Sequence, residues 1–334
     1  MSTQSFPPIH GKVLVTGTSG FIGGHLRDAL LAGGADVVSL VRAVSPSASK
    51  GRALAVDYED LAALTRMMER ERPDYVFHVA GATKGVRLDD FHRANVVPTR
   101  HLLEALLSAH PSVKRFVHVS SLTAFGPSND GPPKRDSDER KPIEFYGQSK
   151  LAAERAVESF GDRLPWTIIR PSAVYGPAEV DMFTLFKAAK LGVNLFYGNR
   201  HKRFSAVYVD DLVAAMLSAA LSERTRSRGY LICDGETHTW GEFQRHVGAA
   251  VGKRSFDLSL PGFLVPMVGV AGELLTAVDS KPRVLNRQKA ILDAQAAWLC
   301  THEAARADFD YRPRVGMEEG TRRAYRWYVE RGWL

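Results

Sequence analysis

The chain has 334 residues, enough for one large domain or two modest ones, and ample length to bury a core. Its 45% hydrophobic and 24% charged residues are ordinary for a globular protein. The formal charge of +7 is modest, and no basic stretch interleaved with aromatics points to nucleic acid.

Met1–His10 is polar and lacks the apolar segment of a signal peptide. Cys233 and Cys300 lie far apart in sequence. They make neither a metal-ligand spacing nor a disulfide framework, which fits a reducing, cytoplasmic compartment. The long apolar run Pro261–Val278 is broken by Pro266, Gly269, Gly272 and Glu273. It falls short of the ~20 residues of a membrane span and reads as a buried or pocket-lining helix.

Lys12–Thr16 is a short β-rich run that predicts a buried strand. Gly17-Thr18-Ser19-Gly20-Phe21-Ile22-Gly23 follows, and then Leu26, Leu30 and Leu31 recur at helical spacing. Strand, glycine turn and helix together suit a pyrophosphate: the backbone turns tightly and the helix N-terminus offers free N–H groups. Val37–Val41 predicts a second strand, ending at Arg42. An acid there would bind a ribose 2′-OH. An arginine suits a 2′-phosphate, so Arg42 favours NADP(H) over NAD(H) unless it is merely solvated.

Ala53–Asp57 predicts a third strand, with Asp57 placed to meet an adenine. Leu61–Arg72 has helical period. Tyr75–Ala82 predicts a fourth strand ending in Ala80, Gly81 and Ala82, whose small side chains let a cofactor lie close. His78 within it reads as a core histidine rather than a catalyst. Asp89–His110 predicts one long helix bearing Asn95, and Arg115–Ser121 a fifth strand ending in hydroxyls. Gly126–Pro142 is polar and aperiodic, with the look of a mobile lid. In Tyr146-Gly147-Gln148-Ser149-Lys150, a tyrosine and a lysine four apart share one helix face. There the ammonium would pull the phenol below its usual value of ~10 and fit it for proton transfer at a carbonyl or carbinol. Trp166–Arg170 predicts a sixth strand.

Alternating strands and helices predict an α/β fold, a doubly wound parallel Rossmann sheet. Gly17, Arg42, Asp57, Gly81 and Ser121 all sit at strand carboxyl ends, where such sheets bind ligands.

At this point the sequence resembles the extended short-chain dehydrogenase/reductase family, also called the NAD-dependent epimerase/dehydratase family. The resemblance rests on Gly17-x-x-Gly20-x-x-Gly23, Ser120-Ser121, Tyr146-x-x-x-Lys150, Arg170-Pro171-x-x-Val174-Tyr175-Gly176-Pro177 and Tyr208-Val209-Asp210-Asp211-Leu212. It implies Tyr146 as general acid/base and Lys150 on the nicotinamide ribose. Ser121 would bind the substrate oxygen, with Thr123 as a secondary candidate. Gly17, Gly20, Phe21, Ile22, Gly23, Arg42, Asp57, Ala80 and Gly81 would contact the dinucleotide, and Pro171, Ser172 and Val174 would lie against the nicotinamide. Asn95, Asp210 and Asp211 would be structural. The domains expected are 11–176 (with 203–233 returning to it) for the cofactor, and a smaller, mainly helical part, 177–202 and 234–334, for a small-molecule substrate. Dimers are common in the family, so a homodimer is one state the resemblance allows, and the sequence leaves the oligomeric state open.

Departures from the family pattern narrow the choice. Leu122-Thr123 stands where dehydratases carry Asp-Glu, and Ala173 stands where many nucleotide-sugar members have asparagine. With Arg42 and the Pro261–Val278 run, these favour a reductase or dehydrogenase of a largely apolar ketone or secondary alcohol, as in dihydroflavonol reductases and 3β-hydroxysteroid dehydrogenases. A nucleotide-sugar epimerase, with Arg200–Arg203 near a diphosphate, is the alternative. Thr239 and Glu242 form a plausible capping box, and Trp327, Tyr328 and Trp333 suggest a terminal helix docked through aromatics.

Overall fold

The computed structural model describes residues 6–42, 50–197, 199–253, 256–260 and 287–334. The run Pro261–Val278 lies outside them. The described strands include β1 (Lys12–Thr16), β2 (Asp36–Val41), β3 (Arg52–Ala55), β4 (Tyr75–His78), β5 (Arg115–Val119), β6 (Trp166–Pro171), β7 (Ala173–Tyr175), β8 (Val193–Tyr197), β9 (Arg203–Phe204), β10 (Ala206–Tyr208) and β11 (Arg228–Ile232). Seven of them form one sheet in the order β11-β6-β5-β4-β1-β2-β3. Every pairing in it is parallel, with Val13 opposite Val37 and Tyr75, and His78 opposite His118.

Both faces of this sheet are buried, which is why its strands read as continuous apolar runs rather than alternating ones. The alternation appears in which layer each side chain enters. Val13, Val15, Phe77 and Val117 pack with Leu26 and Leu30 of α1 (Phe21–Ala32) and with Leu212 and Met216 of the helix Val209–Leu221. Leu14, Val76 and Phe116 face the other way, onto Leu64 and Met68 of α2 (Leu61–Glu71) and onto Leu102 and Leu106. Strand order reverses between β1 and β4, the point at which a doubly wound sheet opens a ligand crevice.

The expected helix Asp89–His110 is three pieces: α3 (Leu88–Phe91), a π segment His92–Val96 and α4 (Val97–Ala109). Pro98 lies in the first turn of α4, where a missing N–H costs nothing. α5 (Phe145–Glu158) carries Tyr146 and Lys150. Its N-cap is Glu144, whose carboxylate accepts from the N–H groups of Tyr146 and Gly147 at 2.6 and 2.5 Å.

A further apolar cluster gathers Phe204, Phe243, Tyr175, Tyr208 and Tyr328. Thr239 and Glu242 make the expected capping box on the helix Trp240–Val251. The final helix, Met317–Glu330, docks through its aromatics: Tyr328 donates to Glu179 O at 2.7 Å, and Trp333 packs against Phe183 at 5.2 Å. Among the described residues no helix is long and apolar enough to cross a membrane.

The segment 126–142 is not a free lid. Ser128 and Asn129 donate to Ala297 O, Lys134 N–H donates to Leu299 O, and Asp136 accepts from Leu231 N–H at 2.7 Å. Burial raises the Asp136 carboxyl to about 6, against the opposing charge of Arg170. A raised acid contributes stability that is fully present below its unfolded value of ~3.9 and is lost as pH rises through 6. Asp136→Asn keeps the acceptor for Leu231 and removes the titration. The stability of wild type relative to this variant is therefore expected to grow as pH falls from 7 to 4, by up to about 3 kcal/mol. Denaturant midpoints across that range check it, and a constant difference would refute it.

The cysteines, distant in sequence, share one apolar cluster: the Cys233 thiol donates to Cys300 O at 3.3 Å and lies 3.5 Å from His302 Nδ1.

Candidate active site

The glycine turn after β1 is a cradle shaped by the absence of side chains. Gly17 has φ +75°, and a Cβ there would sit 2.7 Å from Ala80 N. A Cβ on Gly23 would lie 2.2 Å from Gly17 O, so only glycine lets α1 start this close to the strand. Gly20 caps α1 in extended conformation with no side-chain cap and no acidic residue in the first turn. The N–H groups of Phe21, Ile22 and Gly23 thus have no intrahelical acceptors, and the dipole end carries no competing carboxylate.

The other residues singled out for a dinucleotide come to the same edge. Arg42 follows β2 and is exposed, beside buried Tyr58, whose hydroxyl donates to Leu40 O. Asp57 follows β3 and accepts from Glu59 N–H. Ala80 and Gly81 follow β4. Pro171 ends β6, Ser172 is buried, and Val174 lies in β7, which pairs with β10. These residues fit a nicotinamide dinucleotide: an uncapped helix N-terminus for phosphates and small residues at the strand ends.

Ser121, Tyr146 and Lys150 meet where β5 ends. The Ser121 Oγ accepts from Thr123 Oγ1 at 3.0 Å and from Thr123 N–H at 3.2 Å. Lys150 is buried, and its Nζ donates to Val119 O at 2.6 Å. Burial brings its ammonium down to about 8, with Glu154 opposing the fall. The phenol of Tyr146 differs from the expectation of a depressed value. Burial pushes it up to about 12, and the hydrogen bond with Ser121 only partly offsets this. Desolvation of a would-be phenolate, with the Glu144 charge adding to it, sets the direction, while the Lys150 ammonium is engaged by Val119 O.

Asn95 is structural in its contacts. Its Oδ1 accepts from Ala82 N–H at 2.7 Å, and its Nδ2 donates to Ala82 O and to Ser149 Oγ, which in turn donates to Tyr146 O. Asp211 accepts from the N–H groups of Arg314 and Val315, and Asp210 lies 3.4 Å from His25 Nδ1, so both acids tie elements together.

A cavity of about 490 Å³ opens beside Ser121 and Thr123. Pro171, Ser172 and Ala173 form one wall. Leu122, Met182, Leu185, Phe196, Phe204, Trp240 and Trp298 make it chiefly apolar. Phe204 and Trp240 are stacked at 4.5 Å. Phe204, Trp240 and Trp298 carry no joint signal in the sequence, because they come from three separate stretches of chain. The basic cluster Arg200–Arg203 is dispersed: Arg200 pairs with Asp257 at 2.6 Å and Arg203 donates to Asn129 O, while Lys202 reaches Asp293 O. Lys202 and Arg203 nevertheless border the cavity.

Glu154 is a second residue that sequence reasoning passed over, though it lies four after Lys150 on the same face. It is fully buried and receives Arg170 in a two-pronged pair at 3.0 and 3.0 Å, plus Arg140 at 2.5 Å.

Comparison with known proteins agrees with this architecture. The model of the NAD dependent epimerase/dehydratase family matches residues 13–233. The chain is 38% identical over 174 residues to a dTDP-6-deoxy-L-talose 4-dehydrogenase (NAD(P)(+)) of Kitasatospora kifunensis, a match covering 50% of this chain and 54% of that protein. It is 28% identical over 330 residues to a ceramide reductase of Caulobacter vibrioides, covering 97% and 96% of the two chains. The structure of the epimerase Mth375 from Methanothermobacter thermautotrophicus superposes with a TM-score of 0.80 at 22% identity, covering 97% of this chain and 94% of that one. With its glycine cradle and seven-stranded parallel sheet, the chain belongs to the NAD dependent epimerase/dehydratase family, the extended short-chain dehydrogenases/reductases, and is an NAD(P)-dependent oxidoreductase.

Proposed function

We propose that the protein is an NADP(H)-dependent reductase of a ketone, or dehydrogenase of the matching secondary alcohol, with a largely apolar body. The observation that carries this reading is the cavity beside Ser121, walled by Phe204, Trp240, Trp298 and aliphatic side chains. Ala173 on its wall offers no hydrogen bond to a diphosphate. The ceramide reductase, which aligns over nearly the whole chain, bears the name of an enzyme with an apolar substrate.

In this reading, bound nicotinamide supplies hydride exchange with the carbinol carbon. The chain's residues do the rest. The uncapped start of α1 holds the pyrophosphate on the N–H groups of Phe21, Ile22 and Gly23, with Gly17 and Gly20 allowing the approach. Arg42 takes the 2′-phosphate as a charge-assisted pair, and Asp57 meets the adenine. Ala80, Gly81, Pro171, Ser172 and Val174 flank the cofactor, and Lys150 binds its ribose. Ser121, aligned by Thr123, holds the substrate oxygen. Tyr146 moves the proton. A phenol raised to about 12 is protonated at neutral pH, the form that donates to a ketone oxygen in the reductive direction. Residues 177–202 and 234–334 form the substrate side.

Turnover with NADPH and NADH over a ketone panel tests the proposal. NADPH is expected to be preferred by roughly tenfold or more, and Arg42→Ala to lose most of that preference. Preference for NADH, or turnover confined to nucleotide sugars, would sink it.

A further inference from the structure

His78 has no place in the chemistry above, yet it sits at the centre of an unbroken hydrogen-bonded chain. The imidazole is fully buried. Its Nδ1 lies 2.8 Å from Thr16 Oγ1 and its Nε2 lies 3.0 Å from Thr99 Oγ1. The direction of each bond follows from counting protons. Thr99 spends its only hydroxyl proton on Asn95 O at 2.6 Å, so it accepts from Nε2–H. Nδ1 is then the bare nitrogen and accepts the hydroxyl proton of Thr16. That leaves the Thr16 oxygen to accept, and it does so twice, from Val79 N–H at 3.1 Å and Ala80 N–H at 3.0 Å. Only the neutral Nε2–H tautomer satisfies every member.

The two ends of this chain are the two halves of the site. One end fixes the backbone at Val79–Ala80, the strand end assigned to the cofactor and packed against the glycine turn at Gly17. The other end fixes the turn of Asn95, whose amide bonds to Ala82 and Ser149 and thereby reaches the carbonyl of Tyr146. We infer that His78 is a positioning residue: it sets the spacing between the cofactor edge at Val79–Ala80 and the helix that carries Tyr146 and Lys150. This rests on the oxidoreductase reading of the site. The surroundings keep the ring neutral. Burial, together with the positive charge of Lys150, lowers His78 to about 3, and the second imidazole beside it, His118 at 5.5 Å, is held down in the same way.

Two substitutions separate the two halves. His78→Asn keeps an oxygen near the Nδ1 position for Thr16 and loses the link to Thr99. His78→Gln reaches Thr99 with its amide N–H and loses the acceptor for Thr16. NADPH affinity, steady-state kinetics and melting temperature are measured for both. His78→Asn is expected to bind NADPH within about threefold of wild type while kcat falls about tenfold, because only the catalytic helix is released. His78→Gln is expected to weaken NADPH binding about tenfold. Thr99→Val should reproduce the kcat loss of His78→Asn and add nothing to it in the double variant. If His78→Asn does not fold, Thr99→Val interrupts the same half and carries the same expectation. Parallel losses of affinity, kcat and melting temperature in both variants, or no change in either, would overturn the inference. Wild type that binds neither NADPH nor NADH would overturn the oxidoreductase reading and this inference together. Wild type that binds normally, with variants unshifted, overturns the inference alone.

Discussion

Tyr146→Phe is expected to lower kcat by about 10²–10⁴-fold while leaving nucleotide affinity nearly unchanged. The ring is held by helix α5 and packs 6.3 Å from Phe91, so phenylalanine occupies the same space. What disappears is one hydroxyl, the one hydrogen-bonded to Ser121. An interaction made with the reacting oxygen and with nothing else lowers kcat and kcat/KM together and spares ground-state binding. Single-turnover reduction followed at the nicotinamide absorbance band measures the effect. Unchanged turnover would remove Tyr146 from the chemistry and leave Ser121 or Thr123 to account for the proton.

Glu154→Ala should cost about 3–5 kcal/mol of stability. The reason is the cation left behind. Arg170 is buried in β6, and its guanidinium is satisfied by Glu154 in two bonds, with Asp136 at 3.4 Å. Arg140 reaches the same carboxylate and Glu158. Those cations hold the Glu154 carboxyl below its ordinary value although burial pushes it up. Removing the anion takes away both close bonds to Arg170 and leaves only Asp136 at 3.4 Å beside a charge in the interior, where desolvation is expensive. Glu154→Gln, which keeps the shape and one acceptor, should lose less. Urea midpoints of the two variants decide the matter: equal, small losses would mean the network is no more than a solvated cluster.

Much of this arrangement is legible in sequence because its signals are local. The buried strands announce themselves as short β-branched runs, the cradle as glycines between strand and helix, and Tyr146 and Lys150 as a pair at one helical turn. What stays hidden depends on contacts between distant stretches. Gly126–Pro142 looks loose because its partners, Leu231 and Ala297–Leu299, are remote in the chain. Cys233 and Cys300 look unrelated until β11 and the segment after Trp298 are laid side by side. Phe204, Trp240 and Trp298 become a cavity wall only in the fold. Arg200–Arg203 errs the other way: neighbours in sequence, they diverge to separate partners. The altered phenol of Tyr146 was hidden for a different reason. The four-residue spacing to the lysine is visible in the sequence, but the engagement of that lysine by Val119 O and the cost of burying the phenolate are not.

The π segment His92–Val96 has a consequence for how this chain can vary. A π turn holds one residue more than an α turn, so it advances the following helix without unwinding it. Asn95 occupies that extra space and from there reaches both Ala82 and Ser149. Deleting one of the other four residues would let an ordinary helix close and turn Asn95 relative to the helix beyond it by roughly 100°, a single helical step. Here the count of residues matters beside the chemistry of Asn95: a gap in the segment moves its amide off Ala82 and Ser149, and a substitution on the exposed side leaves it in place.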